Sequence, residues 1–136
     1  MKINKKIILS SGGTGGHVLP SVNLGNFLIE RGYNCILFLD KRGLKYSSSF
    51  KGKIHIINSF HLSGNFLFKI KSLTFLLIAF IKSLILVIKF RPRNFISFGG
   101  YSTFMPLSAI LIIKFLFKTK IYIHEQNSVI GKVNLF

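Results

Sequence analysis

The chain has 136 residues, of which 49% are hydrophobic, and a formal net charge of +16 at pH 7. This length suits one domain with a single core, and the hydrophobic content excludes a disordered chain. Lys and Arg number 19 against three acidic residues, so we expect an anionic partner: nucleic acid, an anionic membrane surface or a phosphorylated substrate. A compositional bias toward Lys, Ile, Phe and Asn is the alternative explanation of the charge. The Phe residues lie within apolar runs, which argues against nucleic acid.

Apolar runs alternate with helical patterns along the chain. Five runs predict strands, at 5–10, 34–40, 53–58, 94–100 and 120–127. Three helical patterns lie between them, at 17–32, 66–90 and 103–117. The segment 41–52 is predicted to be a polar, basic loop, and Cys35 a buried strand residue in a reducing compartment. This alternation predicts an α/β fold, a doubly wound parallel sheet with helices on both faces.

Three segments of unusual composition lie at the carboxyl ends of predicted strands, where we expect loops. GGTGG occupies 12–16, a second glycine pair lies at 99–100, and HEQN occupies 124–127. Ligands bind outside the carboxyl ends of the strands in such sheets, so we expect these loops to converge on one rim. The helix after the first loop begins near His17, and the free N–H groups of a helix start favour a phosphate group.

The first glycine loop matches neither common nucleotide-binding motif. It lacks the third glycine of G-x-G-x-x-G, and no Lys follows it as in a P-loop. Glycines that serve a tight turn alone therefore remain an alternative to a ligand site. His17 is a candidate general base, because a neutral imidazole accepts a proton near neutral pH, and a plain neighbour of the helix start is the alternative.

Three segments resemble the MurG family of peptidoglycan N-acetylglucosaminyltransferases. They are GGTGGHVLPSVNLGNFLIERGY, FGGYSTFMPLSAI and IYIHEQNSVIGKVN, in that order along the chain. The resemblance implies the N-terminal half of a GT-B glycosyltransferase, with a Rossmann-like acceptor and membrane domain over residues 1–136. The C-terminal domain, which holds most of the sugar nucleotide in this family, would lie outside this sequence.

The resemblance also implies a reaction. GlcNAc passes from UDP-GlcNAc to undecaprenyl-pyrophosphoryl-MurNAc-pentapeptide (lipid I) and gives lipid II. The acceptor O4 attacks the anomeric carbon with inversion while UDP leaves. We expect no metal or other cofactor, because the three acidic residues are too few and too scattered for a metal cluster.

Roles for individual residues follow from the resemblance. His17 would help to deprotonate the acceptor hydroxyl. Contacts with the donor are implied for Thr14, Gly15, Gly16 and Asn127. Contacts with the acceptor or its pyrophosphate are implied for Gly12, Gly13, Gly99, Gly100, Tyr101, Glu125 and Gln126. Glu125 is interpreted as orienting its motif, with a second base as the alternative. A structural role is the interpretation for the other histidines, His55, His61 and His124.

The segment 65–90 is apolar enough to raise the question of a membrane. Only Lys82 is charged between residues 72 and 88. The length of this segment is close to the roughly 20 apolar residues that span a bilayer. A central Lys costs about 2.5–3.5 kcal/mol on insertion, which disfavours a span. The family resemblance implies instead a helix whose exposed apolar patch lies on the membrane, so we expect peripheral attachment to the cytoplasmic face of the bacterial plasma membrane. A buried helix and a true span are the alternatives. Expected contacts with anionic lipid are Lys69, Lys71, Phe75, Lys82 and Lys89, with Arg91 and Arg93.

Two hypotheses for the whole chain stay open. In the first, it is part of a full-length enzyme and is active only within it, with UDP-GlcNAc, lipid I and the membrane surface as partners. In the second, it is a non-catalytic membrane and acceptor-binding subunit that works with a separate donor-binding chain, as in the split glycosyltransferases of the dolichol pathway. A third hypothesis is a basic Rossmann domain that binds nucleic acid, and we do not expect this function.

Overall fold

The structure, a computed structural model, describes residues 5–58 and 65–125. The strands are β1 (Lys6–Ser10), β2 (Asn34–Leu39), β3 (Lys53–Ile56), β4 (Asn94–Ser97) and β5 (Lys120–Ile123). The α-helices are α1 (Gly15–Glu30), α2 (Phe66–Phe90) and α3 (Phe104–Phe117). Two short 3-10 helices, Lys41–Tyr46 and Tyr101–Thr103, follow β2 and β4. The first of them corrects the prediction of a plain loop over 41–52.

The five strands form one parallel sheet in the order β3-β2-β1-β4-β5. Successive strand residues point to opposite faces, and the two cores follow this alternation. Ile7 and Leu9 pack with α1 on one face, whereas Ile8 packs with α2 and α3 on the other. The predicted doubly wound parallel sheet is therefore confirmed. Its strand order reverses direction between β1 and β4, which puts the topological switch point at the carboxyl ends of these two strands.

Cys35 lies on β2 and is buried, as predicted. Burial raises the pKa of its thiol to about 11. The thiol is therefore protonated at neutral pH and behaves as a small apolar side chain.

α2 presents two different faces. Its buried residues are mostly small, which lets it pack closely on the rest of the fold, and they are Ser72, Ala79, Ser83 and Val87. The opposite face exposes large apolar side chains, among them Leu73, Leu77, Ile78, Ile81, Ile85 and Ile88. Within residues 5–58 and 65–125, α2 is the one helix that is long and apolar enough to cross a membrane, judged by length and composition alone.

Candidate functional site

The first glycine loop connects β1 to α1 through a sharp turn. Gly13 has a φ of +84°, a region that residues with a Cβ rarely adopt. The Thr14 amide donates to the Gly12 carbonyl at 3.2 Å, and Thr14 then precedes α1 in an extended conformation without a side-chain cap. Thr14 and Gly16 are exposed. The start of α1 thus presents its first N–H groups, which have no acceptor within the helix, at the rim of the sheet.

The second glycine loop, after β4, touches the first through its backbone. Gly99 and Gly100 have φ values of +85° and +92°. A Cβ on Gly100 would lie 2.6 Å from the carbonyl oxygen of Gly12, too close for any other residue. The Ser102 hydroxyl donates to the Ser11 carbonyl at 3.2 Å and ties the two loops together. The structure therefore brings the first two of the three expected loops into contact.

His17 lies in the first turn of α1, one residue after the glycine pair. Its amide donates to the Thr14 carbonyl at 3.1 Å, so its backbone is part of the helix start. The side chain is half-buried, and within the described residues its buried Nδ1 atom has no hydrogen-bond partner. The structure thus places the candidate base beside the first glycine loop.

The third loop is described only in part, because Gln126 and Asn127 lie outside the described residues. The His124 amide donates to the Ser97 carbonyl at 2.7 Å, which sets the end of β5 beside the end of β4. Glu125 follows and is half-buried. His124 was expected on a buried strand and is instead exposed, because β5 is an edge strand within the described sheet; its ring packs 5.1 Å from that of Phe98.

Tyr101 and the remaining histidines complete the set of sequence candidates. Tyr101 begins the 3-10 helix after the second glycine loop and is 55% exposed, so its ring stands at the rim. His55 lies on β3, away from the glycine loops, where burial and the charges of Lys82 and Lys53 lower its pKa. His61 lies outside the described residues.

Sequence reasoning missed Asp40, which the structure places directly under the first glycine loop. Its Oδ1 accepts the amides of Gly13 at 3.2 Å and Gly43 at 3.0 Å, and its Oδ2 pairs with Arg42 at 2.7 Å. Burial alone would raise the pKa of this carboxyl, but the hydrogen bonds from Arg42, Gly13 and Gly43 outweigh it and hold the pKa below its usual range. The available signal was an isolated acidic residue at a strand end in a very basic chain.

A groove of about 450 Å³ adjoins the rim between α1 and the edge of the sheet. Pro20 and Leu24 of α1 form one wall, and Phe98 and His124 form part of the other. The lining is mostly apolar, and it begins one helical turn from His17. Among the described residues, no three His, Cys, Asp or Glu side chains cluster closely enough to hold a metal ion.

The sequence pattern of the glycosyltransferase family 28 N-terminal domain matches residues 7–136. The chain belongs to this family. The match begins within β1 and covers the other four strands and all three loops.

Two relatives from Rickettsia carry a more specific description. UDP-N-acetylglucosamine--N-acetylmuramyl-(pentapeptide) pyrophosphoryl-undecaprenol N-acetylglucosamine transferase of Rickettsia prowazekii is 44% identical over 133 residues, 97% of this chain and 32% of the relative. The protein of the same name from Rickettsia canadensis is 43% identical over 97% of this chain and 35% of its own length. The chain therefore spans about a third of the length of these relatives.

A solved structure agrees on the fold. The crystal structure of Acinetobacter baumannii MurG superposes with a TM-score of 0.79 at 22% identity, over 96% of this chain and 38% of that one. At this identity the match shows the Rossmann-like fold alone.

Proposed function

We propose that the chain is the N-terminal, acceptor-side part of a transferase that moves GlcNAc from UDP-GlcNAc to the undecaprenyl-pyrophosphoryl muramyl-pentapeptide. The observation that carries this proposal is the direct contact between the two glycine loops, beside His17, at the switch point of the sheet. The names of the Rickettsia relatives support the choice of substrates. In the proposal, the donor-binding domain belongs to the other two thirds of those relatives' length.

The proposed chemistry assigns the proton and the charge to different groups. His17 takes the proton of the acceptor O4 as this oxygen attacks the anomeric carbon of GlcNAc. The bond from that carbon to the β-phosphate oxygen breaks, and UDP leaves with the electron pair. Backbone N–H groups at the start of α1 stabilise phosphate charge without moving during the reaction. Thr14, Gly15 and Gly16 are the proposed donor contacts on this chain, together with Asn127.

Membrane attachment through α2 is part of the proposal. At about 100° per residue, Lys71, Lys82 and Lys89 fall within about 20° of one another, on a flank of the exposed apolar face. A basic flank beside an apolar face is typical of helices that lie on an anionic membrane surface. We propose peripheral attachment to the cytoplasmic face of the plasma membrane, with Lys69, Lys71, Phe75 and Lys89 as contacts.

Lys82 needs a different role from the one expected of it. Its Nζ donates to the carbonyl of Ile56 at 2.6 Å, so the ammonium ties α2 to the end of β3. We therefore propose that Lys82 holds α2 on the sheet and does not contact lipid.

A chimera tests the transferase function. This chain replaces the matching 133 residues of the Rickettsia prowazekii transferase, and transfer of labelled GlcNAc from UDP-GlcNAc to the lipid acceptor is measured. We expect transfer, and we expect His17→Ala to lower kcat about 100-fold or more because the general base is lost. Lys51→Gln, which breaks an exposed ion pair with Glu30 at the far end of α1, is the control and should leave the rate within twofold. A chimera that binds UDP-GlcNAc and transfers nothing would overturn the proposal.

Vesicle binding tests the attachment separately. The double variant Leu77→Gln, Ile81→Gln should weaken sedimentation with phosphatidylglycerol vesicles, because it removes exposed apolar side chains, 57% and 46% exposed, from α2. Phe27→Gln on α1 is the matched control, since Phe27 is 48% exposed on the opposite side of the sheet. Equal binding by the two variants would count against α2 as the membrane face.

A further inference from the structure

The segment after β2, which was predicted to be a loop, contacts the first glycine loop and the start of α1 at three points. Asp40 holds the Gly13 amide, and the Tyr46 ring packs so closely on Gly15 that a Cβ there would lie 3.2 Å from it. Gly43 lies against Val18 of α1, where a Cβ would come within 3.1 Å of the valine side chain. The 3-10 helix Lys41–Tyr46 is thus a platform under the start of α1.

Asp40 is the centre of this platform. Its side chain is 4% exposed, and its Oδ1 bridges an amide of the platform, from Gly43, and an amide of the glycine loop, from Gly13. Gly13 is the residue at which the chain turns with positive φ. A hydrogen bond to its amide therefore fixes the direction in which the following N–H groups of α1 point.

Arg42 fixes the position of the Asp40 carboxylate. Its Nε and Nη2 both donate to the same carboxylate oxygen, Oδ2, at 2.9 and 2.7 Å, and these charge-assisted hydrogen bonds leave Oδ1 for the two backbone amides. The Arg42 side chain is 56% exposed, and its Nη2 lies 3.8 Å from the position that a Gly13 Cβ would take. The Asp40–Arg42 pair thus lies along one side of the first glycine loop, and the Arg42 guanidinium group lies at the rim of the sheet.

The Asp40–Arg42 pair differs from the ordinary surface ion pair that Glu30 forms. Glu30 and Lys51 also meet at 2.7 Å, but both side chains are more than half exposed and they lie at the far end of α1. Asp40 is buried and bonded to the backbone of a loop that the proposed function places against substrate. A buried carboxylate is costly unless it is paired and hydrogen-bonded, and Asp40 meets this condition through Arg42 and the two backbone amides.

We propose that Asp40 is a positioning residue, held by Arg42, that fixes the first glycine loop in the shape that receives a substrate pyrophosphate. This inference rests on the proposed function. The pyrophosphate belongs either to the sugar nucleotide or to the lipid-linked acceptor, and the kinetic experiment distinguishes the two sources.

The kinetic arm uses the chimeric transferase. Asp40→Ser leaves an oxygen that can cap the 3-10 helix but is too short to reach Gly13 as well, whereas Asp40→Asn keeps an acceptor at Oδ1. We expect Asp40→Ser to lower kcat/KM at least tenfold, with a raised KM for the substrate whose pyrophosphate the loop receives. Asp40→Asn should recover part of that loss, and Arg42→Gln, which leaves both backbone bonds of Asp40 in place, should show a smaller loss of the same kind. Ile110→Val, a buried change in α3, is the control for general destabilisation.

The second arm needs no transferase activity, so it separates the two proposals. The amide of Gly13 is followed by NMR in the full 136-residue chain, while methylene diphosphonate is added as the pyrophosphate probe. We expect a shift of the Gly13 resonance in the native chain that is lost in Asp40→Ser and kept in Ile110→Val. An inactive native chimera with this shift present would refute the proposed function and leave the positioning role standing. Equal behaviour of Asp40→Ser and Ile110→Val in kinetics, or an unchanged Gly13 response in Asp40→Ser, would overturn the inference.

Discussion

Replacing Gly100 with Ala tests the contact on which the site is built. Gly100 has φ 92° and ψ 153°, a conformation that costs a residue with a Cβ about 1–3 kcal/mol. The new Cβ would also lie 2.6 Å from the Gly12 carbonyl oxygen, and backbone cannot rotate away as a side chain can. Forcing the two loops apart adds about 1–3 kcal/mol, as overpacking does elsewhere. We therefore expect Gly100→Ala to lower the free energy of unfolding by about 2–6 kcal/mol.

Gly32 provides a control that carries the backbone strain without the collision. Its φ is +80°, and the nearest atom to an added Cβ is the flexible Lys5 Nζ at 3.6 Å. Gly32→Ala should therefore cost only about 1–2 kcal/mol. Thermal unfolding followed by circular dichroism measures both, and we expect Gly100→Ala to melt at least about 4 °C below Gly32→Ala. Equal melting temperatures would refute the reasoning, because they would mean that the loops do not touch as described.

Four further outcomes follow from single side chains. Because the folded-state pKa of Asp40 is depressed, its carboxylate stabilises the fold above the unfolded pKa of about 3.9, and this contribution is lost as the pH falls toward the folded pKa. Urea titrations below pH 4 should show this loss in the native chain and a flatter profile in Asp40→Asn. Lys71→Met should weaken binding to anionic vesicles about fivefold, since a Lys at the surface contributes about 1 kcal/mol. Lys82→Met should instead lower the free energy of unfolding by about 1–3 kcal/mol through loss of its bond to Ile56, and the reverse pattern would contradict the roles assigned to them. Cys35, with its pKa of about 11, should react with iodoacetamide at pH 8 about 100-fold more slowly than an unfolded thiol, and fast labelling of folded chain would show that β2 is open.

The sheet was predictable because its signals are local. Apolar runs mark the strands, the periodic segments between them mark the helices, and alternation of the two leaves few arrangements other than a parallel sheet. The convergence of the glycine loops on one rim then follows from the rule that ligands bind at the carboxyl ends of parallel strands, whereas chain topology only narrows the strand order to a few arrangements.

Contacts between distant segments were not predictable in the same way. Asp40 reaches Gly13 across 27 positions, and nothing near Asp40 in the sequence distinguishes a loop support from a solvated carboxylate. Lys82 was interpreted as a lipid contact from its neighbours on α2, because its acceptor, the Ile56 carbonyl, belongs to another element. The glycine composition indicated a tight turn or a ligand site, but the contact between Gly100 and the Gly12 carbonyl is identified only in three dimensions.

The Gly12–Ser102 contact restricts how this site can change during evolution. A methyl group on Gly12 would lie 1.5 Å from the Ser102 hydroxyl oxygen and 2.8 Å from its Cβ, so position 12 cannot gain a side chain while Ser102 keeps its place. Moving or removing the Ser102 side chain would make room at position 12, but it gives up the hydroxyl that bonds to the Ser11 carbonyl. Positions 12 and 102 are therefore coupled, and a side chain at position 12 requires a change at position 102 as well.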